Sequence, residues 1–193
     1  GTNQIGKKPI LINDLKLIIK ALHKEKKEKL RNRALILIGF AGGFRRSELV
    51  NLENEDIEFV DEGVKILIKR SKTDQSGEGM TKGIPYFSNP DYCPVIALKN
   101  WIKVNQIKSG KIFDMSDRNV ALKIKEYASK AGLDENKYSG HSLRSGFATS
   151  TAELGAEERT IMAMTGHKTT QMVRRYIKEA NLFKNNALNK IKF

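Results

Sequence analysis

The chain has 193 residues, 39% hydrophobic and 30% charged, which suits one sizeable domain or at most two small ones. Its 35 Lys and Arg against 22 acidic residues leave a net charge of +13, favouring a polyanionic partner, nucleic acid well before anionic membrane. The single Cys93 excludes an internal disulfide framework and fits a reducing cytosol, while three His and one Cys without metal-ligand spacing argue against a zinc site.

No stretch reads as a signal peptide, and the longest apolar run, Ala34 to Phe44, is too short to cross a bilayer. In chain order, Asn13-Asp14 marks a helix start, with Asn13 or Asp14 as cap and Leu15, Leu17, Ile18, Ile19 and Leu22 as its apolar face. His23 to Arg33 is densely basic, as suited to a solvated face and linker as to DNA contact. Ala34 to Phe40 is apolar nearly all round and reads as a buried helix, ended by Gly42-Gly43. Ser47 then caps a short helix through Leu52.

Ile57 to Val60 and Val64 to Ile68, joined by Asp61-Glu62-Gly63, form a hairpin signal. After a polar loop from Ser71 to Gly79, Gly83 to Tyr86 returns as a third short strand. A helix from Pro94 to Gln106 is expected to bury Val95, Ile96, Leu98, Trp101 and Ile102; Lys111 to Phe113 is a short extended piece. Ser116-Asp117 caps a helix from Asp117 to Ala131 that Gly132 closes. Helices follow from His141 to Leu154, from Glu157 to Met164, and from Thr169 through Tyr176. The tail from Leu182 to Phe193 reads as a last amphipathic helix, with Phe183, Ala187 and Ile191 in step. The architecture is therefore mainly α with a small antiparallel β-sheet, without repeats or linkers.

The residues that carry chemistry gather late in the chain. His141 and Arg144 are three apart, so on a helix they face a common ligand. His167 follows Gly166, and Tyr176 comes nine residues later. Two imidazoles, a guanidinium and a phenol can bind an oxyanion, move a proton and supply an oxygen nucleophile without a metal. Taken singly, Tyr176 suits a core tyrosine, His141 a helix start, His167 a turn and Arg144 a solvated charge.

The order His-x-x-Arg, Gly-His, then Tyr resembles the tyrosine recombinase (phage integrase) family. Gly43-Phe44-Arg45-Arg46-Ser47-Glu48-Leu49 is similar to the family's Gly-hydrophobe-Arg-x-Ser-Glu-Leu motif, and the phrase from Cys93 to Trp101 also resembles phage-type integrases. The resemblance covers about residues 8 to 180. It implies the family's catalytic-domain fold over residues 1–193 as a single domain, with a core at about 8–180 and a C-terminal helical tail at 181–193. The chain opens at Gly1-Thr2-Asn3-Gln4 without a methionine, so an excised domain lacking the family's N-terminal DNA-clamping domain is expected.

The same resemblance implies a role for each matching residue. Arg45, rather than Arg46, and Arg144 would fork donors onto the non-bridging oxygens of a DNA phosphodiester, with Glu48 as a buried brace. Tyr176 would attack, leaving a 3′-phosphotyrosyl link and a 5′-hydroxyl. His141 would accept the phenol proton, and His167 would donate a hydrogen bond to the phosphate. Lys72 in the hairpin loop would protonate the leaving oxygen, with Lys69 and Lys82 as alternatives. Neither metal, ATP nor other cofactor is implied. The expected partners are double-stranded DNA and further copies of the chain, a tetramer on DNA whose tails dock between subunits; the expected location is cytoplasmic. A type IB topoisomerase-like relaxing enzyme, an inactive DNA-binding module of the same fold and a basic helical RNA-binding protein are the alternatives.

Overall fold

The computed structural model describes residues 6–22, 27–69, 79–167, 169–184 and 186–192. Lys72 and the basic residues from His23 to Lys26 lie outside that set.

Helix α1 (Ile12–Ala21) buries Leu15, Ile18 and Ile19, while Leu17 is 43% exposed because two positions from Leu15 falls off the apolar face. Neither expected cap forms. Leu11 precedes the first turn, and the Asp14 carboxylate instead accepts a hydrogen bond from the Tyr138 hydroxyl at 3.3 Å. Helix α2 (Lys27–Ala41) is buried from Ala34 onward, as its all-round apolar pattern requires. Its buried Asn32 donates to the Tyr127 hydroxyl at 2.8 Å, which satisfies the amide inside the core.

After the Gly42-Gly43 turn, α3 (Arg46–Asn51) starts two residues earlier than a Ser47 cap would place it. Arg45 holds the extended conformation ahead of the first turn, and Ser47 sits inside the helix. Strands β1 (Ile57–Val60), β2 (Gly63–Ile68) and β3 (Met80–Pro85) form an antiparallel sheet in that order, with Ile57 opposite Ile66 and Ile66 opposite Lys82. The third strand begins three residues before its expected start, and its alternation turns Lys82 and Ile84 to the core face.

Helix α4 (Pro94–Val104) ends short of Gln106, which has φ of 54°, and leaves Ile96 and Ile102 half-buried. The Trp101 indole donates to the Ile112 carbonyl at 2.9 Å, fastening the extended piece that bridges Glu53 and Lys111. Helix α5 (Asp117–Lys130) has the expected cap, with the Ser116 hydroxyl accepting from the Asn119 amide at 3.2 Å. These elements share one apolar cluster that extends to Leu143.

Helices α6 (Ser142–Glu153), α7 (Glu158–Thr165) and α8 (Thr170–Lys184) pack around a second cluster of Phe147, Ala148, Ala152, Ile161, Val173 and Ala180. Helix α6 belongs to both clusters and so ties them together. A Cβ at Gly146 would lie 2.1 Å from the Ile10 carbonyl oxygen, so the close approach of the N-terminal segment to α6 requires glycine there.

The tail is not a separate helix. Residues 182–184 complete α8, and one 3-10 turn at Ala187–Lys190 follows. Asn186 and Asn189 explain the interruption: the Asn186 side chain accepts from the Leu188 amide, and the Asn189 amide donates to the Phe183 and Lys184 carbonyls at 2.8 and 3.0 Å. Such local side-chain bonds compete with helix continuation. Among the described residues, no helix is long and apolar enough to cross a membrane.

Candidate active site

The turn after α2 and the starts of α3 and α6 meet at one place. Arg45 stands at the head of α3, half-exposed, and its Nη1 donates to Glu48 Oε1 at 3.1 Å within the first turn. Arg46 points elsewhere, with its Nε 3.6 Å from Asp117 Oδ2. Together with Ser47, Ser139, Gly140 and His141, these residues line an open cleft of about 350 Å³. The two neighbouring arginines therefore differ in environment: one faces Glu48 and the other pairs across to α5.

Arg144, in the first turn of α6, is only 2% exposed. Its Nη1 donates to the Gly43 carbonyl at 3.0 Å and to the Thr165 carbonyl at 2.6 Å. Its Nη2 is buried and has no hydrogen-bond partner among the described residues. Burial, and then the charge of Arg45, draw the guanidinium down to about 10, with Glu48 and Tyr176 opposing. A buried cation with an unfilled donor is a prepared place for an anion.

His141 is the residue just before α6 and is exposed at the cleft. Burial of its ring, followed by Arg144, Arg45 and Arg46, holds it below the usual histidine range. At neutral pH this imidazole is uncharged. His167 follows Gly166, whose φ of 71° ends α7 in a left-handed cap and turns the chain back towards the site. Burial first, then Arg144, Arg45 and Lys82, push His167 down to about 4.

The Thr165 hydroxyl donates to the Ile161 carbonyl at 3.0 Å and lies 2.5 Å from His167 Nδ1, to which it can turn the same proton. When the hydroxyl donates to Nδ1, the neutral ring carries its proton on Nε2. Tyr176, on the α8 face packed against α6 and α7, brings its ring to 5.9 Å from that of His167.

Arg45, Glu48, His141, Arg144, His167 and Tyr176 thus converge. Lys72 lies outside the described residues. Of its alternatives, Lys69 is hydrogen-bonded to Glu53 and 3.3 Å from Asp56, and Lys82 is 1% exposed beneath the Gly42-Gly43 turn. One contributor escapes motif reasoning. Thr165 touches Arg144 through its carbonyl, which no residue type advertises, and His167 through its hydroxyl. Lys82, which the sequence offers only as an alternative acid, sits in β3 with Ile84 on the buried face.

The sequence profile of the Phage integrase family matches residues 10–182. The chain is 47% identical over 203 residues to the integrase/recombinase xerD homolog of Selenomonas ruminantium, spanning 99% of this chain and 60% of that protein. It is 32% identical over 171 residues to the tyrosine recombinase XerA of Pyrococcus furiosus, over 80% of this chain and 54% of that one. In fold it is similar to the XerH site-specific recombinase bound to palindromic difH substrate in a post-cleavage complex. There the TM-score is 0.73 at 20% identity, over 96% of this chain and 57% of the other. The chain therefore spans little more than half the length of the relatives it matches.

Proposed function

Because the chain belongs to the phage integrase family, we propose that it is the catalytic part of a site-specific DNA recombinase that cuts and rejoins strands through a 3′-phosphotyrosine. The observation that carries this reading is the unfilled Nη2 of buried Arg144, beside Arg45 and within the electrostatic reach of Tyr176. A phosphodiester oxygen completes that donor, and the two guanidiniums meet the charge that grows on the non-bridging oxygens.

In the proposed step the Tyr176 phenol oxygen bonds to phosphorus and the bond from phosphorus to the 5′-oxygen breaks. The phenol proton passes to His141, which is uncharged and able to take it. His167 donates from Nε2 to the phosphate as a neutral ring, in the tautomer whose Nδ1 accepts from the Thr165 hydroxyl. Lys72 gives a proton to the departing oxygen, which leaves as a 5′-hydroxyl. A 5′-hydroxyl from another strand reverses these transfers, so the phosphotyrosine conserves the bond for rejoining. Covalent capture on a nicked half-site tests the whole reading.

The assignment of Lys72 has its own test. With sulfur in place of the bridging 5′-oxygen, the leaving group needs little protonation. Lys72→Ala is expected to cleave that substrate at near wild-type rate while remaining severely slowed on the ordinary phosphate. If sulfur restores nothing, the acid is another residue.

For assembly, we propose that the tail from Leu182 onward docks on a neighbouring copy. Phe183 is 80% exposed, and Leu182, Leu188 and Ile191 are exposed with it, whereas α8 up to Ala180 is packed on its own domain. Removing residues 182–193 should shift the melting temperature by no more than a few degrees and preserve single-site DNA binding, while weakening synapsis in a gel-shift assay. A large drop in melting temperature would place the segment in its own core.

A further inference from the structure

Strand β3 brings a lysine into the core directly beneath the site. Lys82 and Ile84 share the buried face of the strand, and Lys82 is 1% exposed. A lysine this deep requires compensation. Its Nζ donates to the Gly42 carbonyl at 2.8 Å, stands 3.7 Å from Glu48 Oε2, and lies 4.3 Å from the centre of the Phe44 ring. Burial chiefly, then Arg144 and Arg45, lower its ammonium to about 8 against the pull of Glu48.

Each of these partners leads to an arginine. Glu48 uses its other oxygen to hold Arg45 Nη1 at 3.1 Å. Gly42 is followed by Gly43, whose carbonyl accepts from Arg144 Nη1 at 3.0 Å. One ammonium thus fixes the carboxylate that aims Arg45 and the turn that aims Arg144. With its head under the turn and its surface covered, it cannot reach a leaving oxygen.

We propose that Lys82 is a positioning residue that holds Arg45 and Arg144 in register for the phosphate, and is not a proton donor to the reaction. This rests on the reaction proposed above. A displacement of about 1 Å in such a group can cost on the order of 100-fold in rate, so the geometry under the arginines matters as much as their charge.

The test is single-turnover cleavage of a nicked half-site by Lys82→Met and Lys82→Arg, with oxygen or sulfur at the bridging 5′ position. Lys82→Met should melt cooperatively and bind DNA within about 3-fold of the parent, yet cleave about 10- to 100-fold more slowly on both substrates. Lys82→Arg, which keeps donors for Gly42 and Glu48, should recover most of that loss. A methyl group in place of one non-bridging oxygen removes the charge the arginines meet, so on that substrate the gap between parent and Lys82→Met should narrow.

Rescue of Lys82→Met by sulfur would make Lys82 the acid and overturn the proposal, as would unaltered cleavage on the ordinary phosphate. If Lys82→Met fails to fold, Lys82→Arg decides: retained cleavage supports positioning, and a severe loss restored by sulfur overturns it. Absence of any covalent product with the parent protein would instead sink the proposed reaction, and this inference with it.

Discussion

Tyr176→Phe is expected to bind DNA as the parent does and to form no SDS-resistant protein–DNA complex. The substitution removes one oxygen and leaves the ring that packs among α6, α7 and α8, so fold and binding surface persist. In the proposed step the covalent bond is made to that oxygen, and the chemistry has no substitute for it. Cleavage should therefore fall below detection rather than decline by a measurable factor. EDTA should leave attachment by the parent protein intact, since in the proposed step guanidiniums meet the charge on the phosphate. A covalent complex that survives in Tyr176→Phe would move the nucleophile elsewhere, and loss of attachment in EDTA would require a metal.

Arg144→Lys should slow single-turnover cleavage by about 100- to 1,000-fold, the usual consequence of losing one preorganised donor at a developing oxyanion. Charge is kept in this variant, so the loss would measure the fork. An ammonium's donors all sit on one nitrogen, so it cannot hold the two carbonyls from the place of Nη1 and also present a donor from the separate place of Nη2. The structure also suffers. Weakened bonds to the Gly43 and Thr165 carbonyls inside the protein should cost about 1–3 kcal/mol, visible in denaturant unfolding. Cleavage within about 10-fold of the parent would show that Arg144 serves the fold alone.

The sequence by itself determined what repeats locally or falls in a motif. The all-round apolar run of α2, the β1–β2 hairpin, the Ser116 cap of α5 and the spacing of His141, Arg144, His167 and Tyr176 were all legible. In the first three the residues concerned are near neighbours, so their periodicity or capping chemistry is visible along the chain, whereas the last is visible only as a motif order. The start of α1 departs from its capping residues because Tyr138, 124 residues away, claims Asp14. The apolar spacing of the tail predicts a helix, but two asparagines satisfy nearby backbone groups instead.

Within the site, residue types were readable but their supports were not. Arg144 draws its register from Gly43, 101 positions earlier, and from the carbonyl of Thr165. Lys82 reaches the carbonyl of Gly42 across 40 positions. A backbone carbonyl is common to every residue and so carries no signature in sequence. Only packing decides which carbonyl meets which cation, and that is why the tertiary structure alone distinguished a buried, pinned Arg144 from a solvated one and put Lys82 beneath the arginines.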